Sequence, residues 1–413
     1  MTEKKLKILF AHPGMNTHIK QCVKSYETQD HEVYFFTTLY LPKPVSSFLQ
    51  INIPRLYKYV SSRDLNIKNI KLRGLFIPEI IRLFASKFTN TYFTDWIWEI
   101  SEWIFDFWVS INIDNSFDVV HVVEHASLRT LKRAKKLGVK TAYIQPSANS
   151  IFIDEQIIQP LMKQNDRFKK YNSRLFSSKY SLRRNIRRQK ELELTDIVIC
   201  ASNYVKKTLI YAGVDASKIK VIPLGSPDRP EPHIKKSLRL NFISSGNISY
   251  LKGSHHIINV WKENQNILSN HNLILIGSNM LPKEEWENLP DNIQVLERLN
   301  HADYLEILRD CDVYLFNSYS DGFGMVMTEA MSNGLAVIAT RNSAGPDLIE
   351  DKVNGLLINP GDESQLLESI QFLISNNSAL QSIKSNSYKT SREYQWSRYH
   401  AGIISTINQL VYG

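Results

Sequence analysis

Cysteine is scarce in this sequence, and the three residues present do not form a framework. Cys22, Cys200 and Cys311 are odd in number, far apart and without the close spacing of metal ligands. The sequence also has no short-period repeat and no low-complexity tract. These absences argue against a disulfide-stapled fold and against extended disorder, and they favour a reduced intracellular protein.

Long apolar runs are absent too. The amino terminus runs straight into a strand-like segment and lacks the apolar stretch and cleavage site of a signal peptide. The best candidate for a membrane span, residues 96–113, is interrupted by three acids, whereas about 20 mostly apolar residues are needed. We therefore predict a cytoplasmic protein without a membrane anchor of its own.

What is present is an ordinary globular composition with an excess of positive charge. Of the 413 residues, 43% are hydrophobic and 22% are charged, and the formal net charge is +9. A chain of this length suits two domains rather than one. The charge favours an anionic partner, either a phosphate-bearing substrate or an anionic membrane surface. Nucleic acid is not expected, because no recognition motif accompanies the charge.

Two series of short strands alternate with helical patterns, which is typical of parallel sheets with crossover helices. The strands predicted in the first series are Lys7–Ala11, Glu32–Thr37, Asp118–Val123, Lys140–Ile144, Asp196–Ala201 and Lys220–Pro223. Those of the second series are Leu240–Ser244, Leu273–Gly277, Gln294–Leu296, Val313–Asn317, Ala336–Ala339 and Gly355–Ile358. The proline-rich segment Gly225–Pro232 separates the two series. The sequence thus predicts an α/β protein of two doubly wound, Rossmann-like domains, with the default ligand site in the cleft between them.

The most informative segment follows a strand of the second series. It reads Asp321-Gly322-Phe323-Gly324, continues as a helix through Glu329, and meets a helix-ending Gly334. The glycines let backbone approach a ligand, and the first N–H groups of a helix attract an anion such as a diphosphate. The carboxylates of Asp321 and Glu329 can accept hydrogen bonds from sugar hydroxyls. Taken alone, the segment fits a glycine turn before a surface helix equally well.

Further residues around this segment make the pattern specific. Gly246 ends a strand, Lys252-Gly253 opens the next helix, and residues 334–338 read Gly-Leu-Ala-Val-Ile. The set resembles the donor-binding domain of the family-4 retaining glycosyltransferases, which have the GT-B fold. That family carries an acid, seven residues and a Glu around a Gly-Phe-Gly turn. The resemblance covers nearly the whole chain, strongly after residue 190 and loosely before it.

The resemblance implies a domain organisation and a set of site residues. Residues 1–226 would form the acceptor-side domain, 227–390 the nucleotide-sugar-binding domain, and 391–413 a helix crossing back to the first. Glu329 would bind the donor ribose, Asp321 the transferred sugar and Lys252 the diphosphate. The expected catalytic residues are Asp321, Glu329, Lys252 and His125. The expected donor-binding residues are Gly14, Gly246, Asn247, Lys252, Arg298, Leu299, Asp321, Gly322, Phe323, Gly324 and Glu329.

Two positions of the donor motif depart from the family pattern. The family usually has Arg directly after the glycine at Gly246, where this chain has Asn247, so half of the cationic clamp on the diphosphate is missing. Arg298 and Arg341 are the candidates to replace it. Asp321 stands where Glu is usual, which keeps the carboxylate and shortens its reach by one methylene.

The first half of the chain resembles the family more loosely. His12–Asn16 forms a glycine-bearing loop that the family places near the transferred phosphate or the acceptor. The family's active-site histidine would stand at Val123. His125, two residues later, is the candidate polar contact, with a structural histidine as the alternative, and His121 is expected in the core.

Residues 40–115 and 150–190 are expected to decide acceptor specificity. The aromatic-rich stretch Trp96–Trp108 predicts either a helix packed on the core or an interfacial or acceptor-lining surface. Between Lys163 and Lys190 there are eleven Lys or Arg and one acid. This run predicts either a solvated helix face or a surface for anionic lipid or a pyrophosphate-linked acceptor at the inner membrane face. Four of its members would share one side of a helix: Arg183, Arg184, Arg187 and Arg188.

The resemblance implies transfer of a sugar, with retention at the anomeric carbon, from a UDP- or GDP-type donor. The acceptor would be a hydroxyl of a glycan or lipid-linked molecule, in cell-surface polysaccharide or glycoconjugate assembly. A donor phosphate oxygen would help remove the acceptor proton, since no side chain is an evident covalent nucleophile. We recognise no Asp-x-Asp motif of the kind that carries a metal in other transferases, and we expect neither metal nor cofactor. The rival interpretations are a catalytically silent GT-B scaffold or partner subunit, which Asn247 and Val123 favour, and an inverting GT-B enzyme, which the acid and glutamate spacing disfavours.

Overall fold

The computed structural model describes residues 5–29, 31–38, 70–76, 78–79, 81, 91–172, 179–231 and 239–413. The linker residue 232 and residues 233–238 after it lie outside this set. Two parallel sheets organise the described residues, and each carries helices on its faces. All described strand pairs within the two sheets are parallel.

The first sheet is built before residue 222. Its strands are β1 (Lys7–Ala11), β2 (Glu32–Thr37), β3 (Ile70–Gly74), β4 (Val119–Val123), β5 (Lys140–Gln145), β6 (Ile197–Cys200) and β7 (Ile219–Val221). They lie in the order β3-β2-β1-β4-β5-β6-β7. Its helices are α1 (Thr17–Ser25), α2 (Thr91–Ile111), α3 (Leu128–Leu137), α4 (Ser150–Ile153), α5 (Gln159–Gln164), α6 (Asp166–Asn172), α7 (Lys179–Leu194) and α8 (Asn203–Tyr211). A π-helical turn, Asp154–Ile158, joins α4 to α5.

The second sheet follows the linker. Its strands are β8 (Asn241–Ser245), β9 (Asn272–Ile276), β10 (Ile293–Leu296), β11 (Val313–Phe316), β12 (Ala336–Thr340) and β13 (Leu356–Ile358). They lie in the order β10-β9-β8-β11-β12-β13. The helices are α9 (Ser254–Glu263), α10 (Gln265–Leu268), α11 (His301–Arg309), α12 (Met325–Ser332), α13 (Gly345–Leu348), α14 (Glu363–Ser375), α15 (Asn377–Glu393) and α16 (Trp396–Tyr412).

The strand pattern explains why both sheets are covered on two faces. Every residue of β4, β6, β11 and β12 is buried, as expected for parallel strands between helical layers. Each strand predicted from the sequence overlaps a strand of the structure. The sequence did not predict β3, an edge strand in which partly buried residues alternate with exposed lysine and arginine. The two doubly wound units expected from the sequence are confirmed.

The final helix returns to the first unit. In α16, the Tyr399 hydroxyl lies 2.9 Å from His18 Nε2 of α1, and His400 Nε2 lies 2.9 Å from Gln21 Oε1. Beside it, the Ser226 N–H donates to the Tyr394 carbonyl oxygen. The two chain crossings between the units therefore run next to each other.

A second connection runs in the opposite sense, from the first unit onto the second. Ile158 and Phe168 are buried against the core of the second sheet. The Phe168 ring meets the Tyr250 ring edge-on, with centroids 5.8 Å apart. Arg167 forms an ion pair with Glu285 at 3.2 Å. Residues 154–172 thus form a helical strap across the cleft.

The cysteine and membrane-span expectations can be compared with the structure. Cys22, Cys200 and Cys311 are buried thiols, and burial raises the pKa of Cys22 and Cys200 to about 12. None of the helices in the described ranges is both long enough and apolar enough to traverse a bilayer.

Candidate active site

A cavity of about 520 Å³ opens at the carboxyl edge of the second sheet. It lies where β8, β9 and β10 end and where α12 begins, which is the expected ligand position in a doubly wound sheet. It brings together five of the predicted donor-binding residues: Gly246, Asn247, Arg298, Leu299 and Glu329. It also includes residues that the sequence did not single out as site residues: Ser245, Ile276, Gly277, Ser278, His301, Tyr304 and Val326.

Two glycines form the floor of this cavity. Gly246 and Gly277 have φ angles of +121° and +149°, which L side chains rarely adopt. A Cβ atom on Gly277 would lie 1.6 Å from the carbonyl oxygen of Gly246, so the ends of β8 and β9 touch there through bare backbone. A glycine directly after a buried strand was the available sequence signal for Gly277.

Glu329 lies on α12 and contributes a carboxylate to the cavity. Burial raises the pKa of Glu329 to about 7, and the charge of Arg229 acts weakly in the other direction. Near it, Ser245 Oγ lies 2.8 Å from the Tyr314 hydroxyl and 3.3 Å from the Tyr304 hydroxyl. Burial raises the pKa of both tyrosines, so both hydroxyls keep their protons near neutral pH.

Lys252 and Asp321 form an ion pair with each other and are not among the residues that line this cavity, although the charges of Asp321 and Glu329 both act on the Tyr314 hydroxyl. The second carboxylate oxygen of Asp321 accepts a hydrogen bond from the Phe323 N–H at 3.1 Å. Gly253, with φ +64°, lies so close to the end of β11 that a Cβ atom would be 2.0 Å from the Asn317 carbonyl oxygen. The glycine therefore sets the entry of α9 and with it the position of Lys252.

The Gly-Phe-Gly turn contributes backbone rather than side chains. The Phe323 side chain is 3% exposed and belongs to the core. A Cβ atom on Gly322 would lie 1.9 Å from the Pro146 carbonyl oxygen of the first unit, and Ser202 Oγ donates to the Gly322 carbonyl at 2.6 Å. Gly322 is therefore required by contact between the two units. Gly324, with φ +80°, occupies the N-cap of α12.

Asn247 stands where the family carries an arginine, and the structure shows which of the two candidate arginines lies near it. Arg298 lines the same cavity as Asn247, whereas Arg341 is exposed and not among the residues that line it. Of the two candidates, Arg298 is the one placed to act on a ligand beside Asn247.

The glycine-bearing loop of the first unit follows β1. His12 Nδ1 lies 3.0 Å from the Gly14 nitrogen and 2.8 Å from its carbonyl oxygen. A Cβ atom on Gly14 would meet the His12 ring at 3.1 Å. Burial lowers the pKa of His12 to about 4, so the ring is neutral at physiological pH. Gly14 thus closes a tight turn around its neighbouring histidine.

His125 lies at the carboxyl end of β4 in a strained backbone. Its φ is +83° and that of Ala126 is +56°, and such angles in non-glycine residues cluster at functional sites. Arg188 Nη2 lies 2.9 Å from His125 Nδ1. Burial, and next the charge of Arg188, hold the pKa of His125 well below its usual range. Val123, where the family carries histidine, is buried in the core, as is His121.

The four arginines of the basic run do not form the free cationic face expected from the sequence. Arg184 pairs with Asp95 at 3.6 Å, Arg188 with Glu124 at 3.5 Å, and Arg187 with Glu102 and with Glu191. Burial raises the pKa of Glu191 to about 7. Only Arg183 among the four is exposed, because α7 turns its other arginines toward acids of α2, of the β4 end and of α7 itself. Residues 173–178 of the run lie outside the described residues.

The aromatic stretch packs on the core with one face of its helix and is exposed on the other. Phe105 is buried, and Trp108 packs on Phe36 with ring centroids 5.0 Å apart. The opposite face of α2 carries a row of large apolar side chains that are 37–62% exposed: Phe93, Trp96, Ile100, Trp103, Phe107 and Ile111. Within the predicted acceptor region 40–115, residues 40–69, 77, 80 and 82–90 lie outside the described residues.

The sequence contains one Asp-x-Asp triplet, Asp310 to Asp312, and the structure places it away from the cavity. It precedes β11, at the amino edge of the sheet. Asp312 accepts hydrogen bonds from the Asn241 N–H at 3.0 Å and from Lys384 Nζ at 2.8 Å. Both carboxylate oxygens of Asp312 are therefore engaged in joining β8, β11 and α15.

Two parallel-sheet units with a ligand cavity at the strand ends of the second define a protein of the GT-B class. Residues 13–227 match the model of Glycosyltransferase Family 4, and residues 228–390 match the model of Glycosyl transferases group 1. The chain belongs to glycosyltransferase family 4.

Individual relatives are distant and match in part. An uncharacterised glycosyltransferase of Methanocaldococcus jannaschii is 29% identical over 143 residues, which are 34% of this chain and 41% of that protein. The capsular polysaccharide biosynthesis glycosyltransferase CapM of Staphylococcus aureus is 25% identical over 213 residues, 47% of this chain and 56% of that protein. The chain spans about half the length of the curated relatives it matches.

Solved structures align over almost the entire chain. Anabaena HepE in complex with UDP-glucose has a TM-score of 0.61 at 15% identity, covering 98% of this chain and 100% of that one. Sucrose-phosphate synthase of Thermosynechococcus elongatus has a TM-score of 0.62 at 14% identity, covering 98% and 99%. At these identities the likeness establishes the fold.

Proposed function

We propose that this protein is a retaining glycosyltransferase that moves a sugar from a nucleoside-diphosphate donor to a hydroxyl of a glycan or lipid-linked acceptor. The observation that carries the proposal is the cavity at the ends of β8, β9 and β10. It combines a backbone floor, a partly buried carboxylate and an exposed arginine, and the charge of Asp321, the ion-pair partner of Lys252, acts on the same Tyr314 hydroxyl as that of Glu329. Such a combination suits a ligand with a flat base, ribose hydroxyls and a diphosphate.

The donor would lie along the carboxyl edge of the second sheet. The base would rest on the backbone around Arg298 and Leu299, and the ribose hydroxyls would donate to Glu329. Lys252 and the first turn of α12 would face the diphosphate, where a cation and helix N–H groups lower the energy of the leaving group. The UDP-glucose bound to HepE supports a uridine donor.

The transfer would proceed on one face of the sugar. The acceptor oxygen forms a bond to the anomeric carbon while the bond from that carbon to the phosphate oxygen breaks. The electron pair leaves with the diphosphate, and a phosphate oxygen takes the acceptor proton. The protein contributes positioning and charge stabilisation in this scheme. We propose that no metal is needed, so turnover should persist in the presence of a chelator.

A panel of UDP- and GDP-sugars tests the donor assignment. At 100 times its Kd, a true donor should stabilise the protein by about 2.7 kcal/mol, and slow hydrolysis of the same donor should distinguish an enzyme from a silent scaffold. The anomer of the product, read by NMR, decides between retention and inversion. Failure of every nucleotide sugar to stabilise the wild type, or equal stabilisation of Glu329→Ala, would contradict the assignment.

The acceptor and its location follow from the same proposal. The CapM relative is named for capsular polysaccharide biosynthesis, which supports a role in cell-surface polysaccharide assembly from the cytoplasmic side. Reversible docking to an anionic membrane is supported by the exposed cations of residues 163–190 and by the exposed aromatic row of α2. Tryptophan and basic side chains are favoured at membrane interfaces.

A further inference from the structure

A second cavity, of about 280 Å³, is lined in part by Asp321. It is bounded by α4, the π-helical turn and α7 of the first unit, and by Leu251 and residues 320–322 of the second. It shares no lining residue with the cavity that contains Glu329. Asp321 lines the second cavity, and its charge also acts on the Tyr314 hydroxyl, which is hydrogen-bonded to Ser245 of the first.

This placement assigns the second cavity a role that depends on the proposed function. If the nucleotide occupies the cavity at Glu329, the transferred sugar lies at Asp321, and the attacking hydroxyl has to approach from the remaining side. The second cavity is the one that Asp321 lines and that the nucleotide would leave free. It is therefore the place where the reacting part of the acceptor binds.

The polar wall of the second cavity is suited to hydroxyl groups. Ser150 Oγ is buried and has no hydrogen-bond partner within the described part of the chain. Asp154 is exposed and, among the described residues, has no ion-pair partner. Asn185 presents an amide beside them. A carboxylate, an amide and a hydroxyl together can accept and donate hydrogen bonds to a polyol.

The charges at the second cavity disfavour an anion. Among the described residues that line it, Arg188 is the one cation, and that guanidinium is already engaged by Glu124 at 3.5 Å and by Asn185 Oδ1 at 3.2 Å. Asp321 is paired with Lys252. The carboxylate of Asp154 is left without compensation, so a uronate or phosphate group in this space would meet repulsion.

Part of the cavity wall is apolar. Ile153 and Ile157 come from the first unit, Leu251 comes from the second, and all three line the cavity. The C–H face of a pyranose ring packs on such a surface. The π-helical turn sets this wall: Pro160 has no N–H to donate, and the chain widens before it, so that the Gln159 N–H donates to the Asp154 carbonyl oxygen. Such turns are frequent at functional sites.

We propose that the second cavity binds an uncharged pyranose ring of the acceptor, with its hydroxyls on Asp154, Ser150 and Asn185 and its C–H face on the isoleucines. Any phosphate or lipid part of the acceptor lies beyond this ring. The site therefore selects neutral acceptor sugars against sugar acids and sugar phosphates.

The test uses the full chain saturated with UDP and saturation-transfer NMR. The probes are methyl glycosides of glucose, galactose and mannose, with methyl glucuronide and a hexose 6-phosphate as the charged counterparts. At least one neutral glycoside should receive saturation, and the charged probes should not. Asp154→Asn should lower the affinity for the neutral glycoside about tenfold. Glu155→Gln, in the same turn but outside the cavity, should leave that affinity unchanged. Asp154→Lys should admit methyl glucuronide.

The UDP signal in the same samples separates the two proposals. If neither UDP nor GDP binds, the proposed function fails. If UDP binds and the charged probes bind as well as the neutral ones, the inference about the acceptor is overturned and the proposed function stands. Absence of binding by every neutral glycoside, or an effect of Glu155→Gln equal to that of Asp154→Asn, overturns it in the same way. Unchanged UDP binding by the Asp154 variants shows that they are folded.

Discussion

At the scale of single residues, the groups assigned to the donor's diphosphate and to its ribose, Lys252 and Glu329, can be tested directly. Lys252→Ala and Glu329→Ala should each weaken donor binding tenfold or more, because each removes charge-assisted hydrogen bonds worth about 1.5–3 kcal/mol. Lys252→Ala also leaves Asp321 without its ion-pair partner beside the diphosphate. Isothermal titration with the best donor measures both effects. Lys283→Ala, an exposed lysine of the same unit, is the matched control, and wild-type affinity in both site variants would refute the assignment.

The raised pKa of Glu329 predicts a pH dependence. Ribose hydroxyls donate to the ionised carboxylate, so donor affinity should rise as the pH increases through about 7 and then level off. The folded protein holds this proton more tightly than the unfolded chain does, so the same group makes the empty protein less stable as the pH rises from its usual 4.5 toward about 7. Donor titrations between pH 4.5 and about 7 should show an affinity that rises with pH in the wild type and stays constant in Glu329→Gln. An equal slope in the variant would assign the dependence to another group.

The Asn247 position predicts a gain rather than a loss. Asn247→Arg should tighten donor binding, because it restores the family's second cation in the same cavity as Arg298. Arg298→Ala should weaken donor binding by the wild type, and the loss of affinity should be smaller in the Asn247→Arg background. Loss of donor binding by a well-folded Asn247→Arg would mean that the cavity is built around asparagine and would favour the scaffold interpretation.

At the scale of elements, α7 is held by buried ion pairs. Arg187 and its partners Glu102 and Glu191 are at most 15% exposed. Arg187→Gln leaves those acids unpaired in the interior and should lower the free energy of unfolding by about 3 kcal/mol. Arg183→Gln, on the exposed side of the same helix, should change it by no more than about 0.5 kcal/mol. Urea denaturation measures both, and equal effects would contradict this account of α7.

The sequence was informative about elements for a physical reason. Strands buried on both faces are runs of apolar residues, so β4, β6, β11 and β12 were predicted to within about one residue. β3 was not predicted, since an edge strand alternates with lysine and arginine as a loop does. The sequence also could not predict where the α7 arginines point, because helical spacing shows that they share one side of the helix but not which residues they contact. The partners, Asp95 and Glu102, lie about 85 residues earlier.

At the scale of the whole molecule, the sequence predicted the part of the candidate site that is formed by the second unit alone. The glycines, Lys252 and Glu329 follow strand ends of a single sheet, and the order of those strands is readable from the chain. Gly322 is different: its requirement comes from Pro146 in the other unit. The second cavity was missed for the same reason, since its two walls belong to different sheets. The site residues remain predictions until the variants above are measured.

Membrane docking belongs to the whole molecule as well. The exposed cations Lys163, Lys169, Arg183 and Lys190 should hold the protein on anionic liposomes at low salt and release it at 1 M, where the Debye length is about 3 Å. Changing these four to Gln should abolish sedimentation with anionic vesicles. The same change at the exposed Lys207, Lys283, Lys352 and Lys389 should not. Equal sedimentation with neutral and anionic vesicles would contradict the proposal that the protein docks electrostatically on an anionic membrane.

The return of α16 to α1 has a consequence for how the chain is made. The surface of α1 around His18 is covered by residues from the far end of the sequence, Tyr399 and His400. During synthesis the second unit has all its strands before that cover emerges from the ribosome, so the unit that begins first is completed last. Because domains fold as they are synthesised, the α1 face around His18 stays uncovered on the nascent chain until α16 has been made.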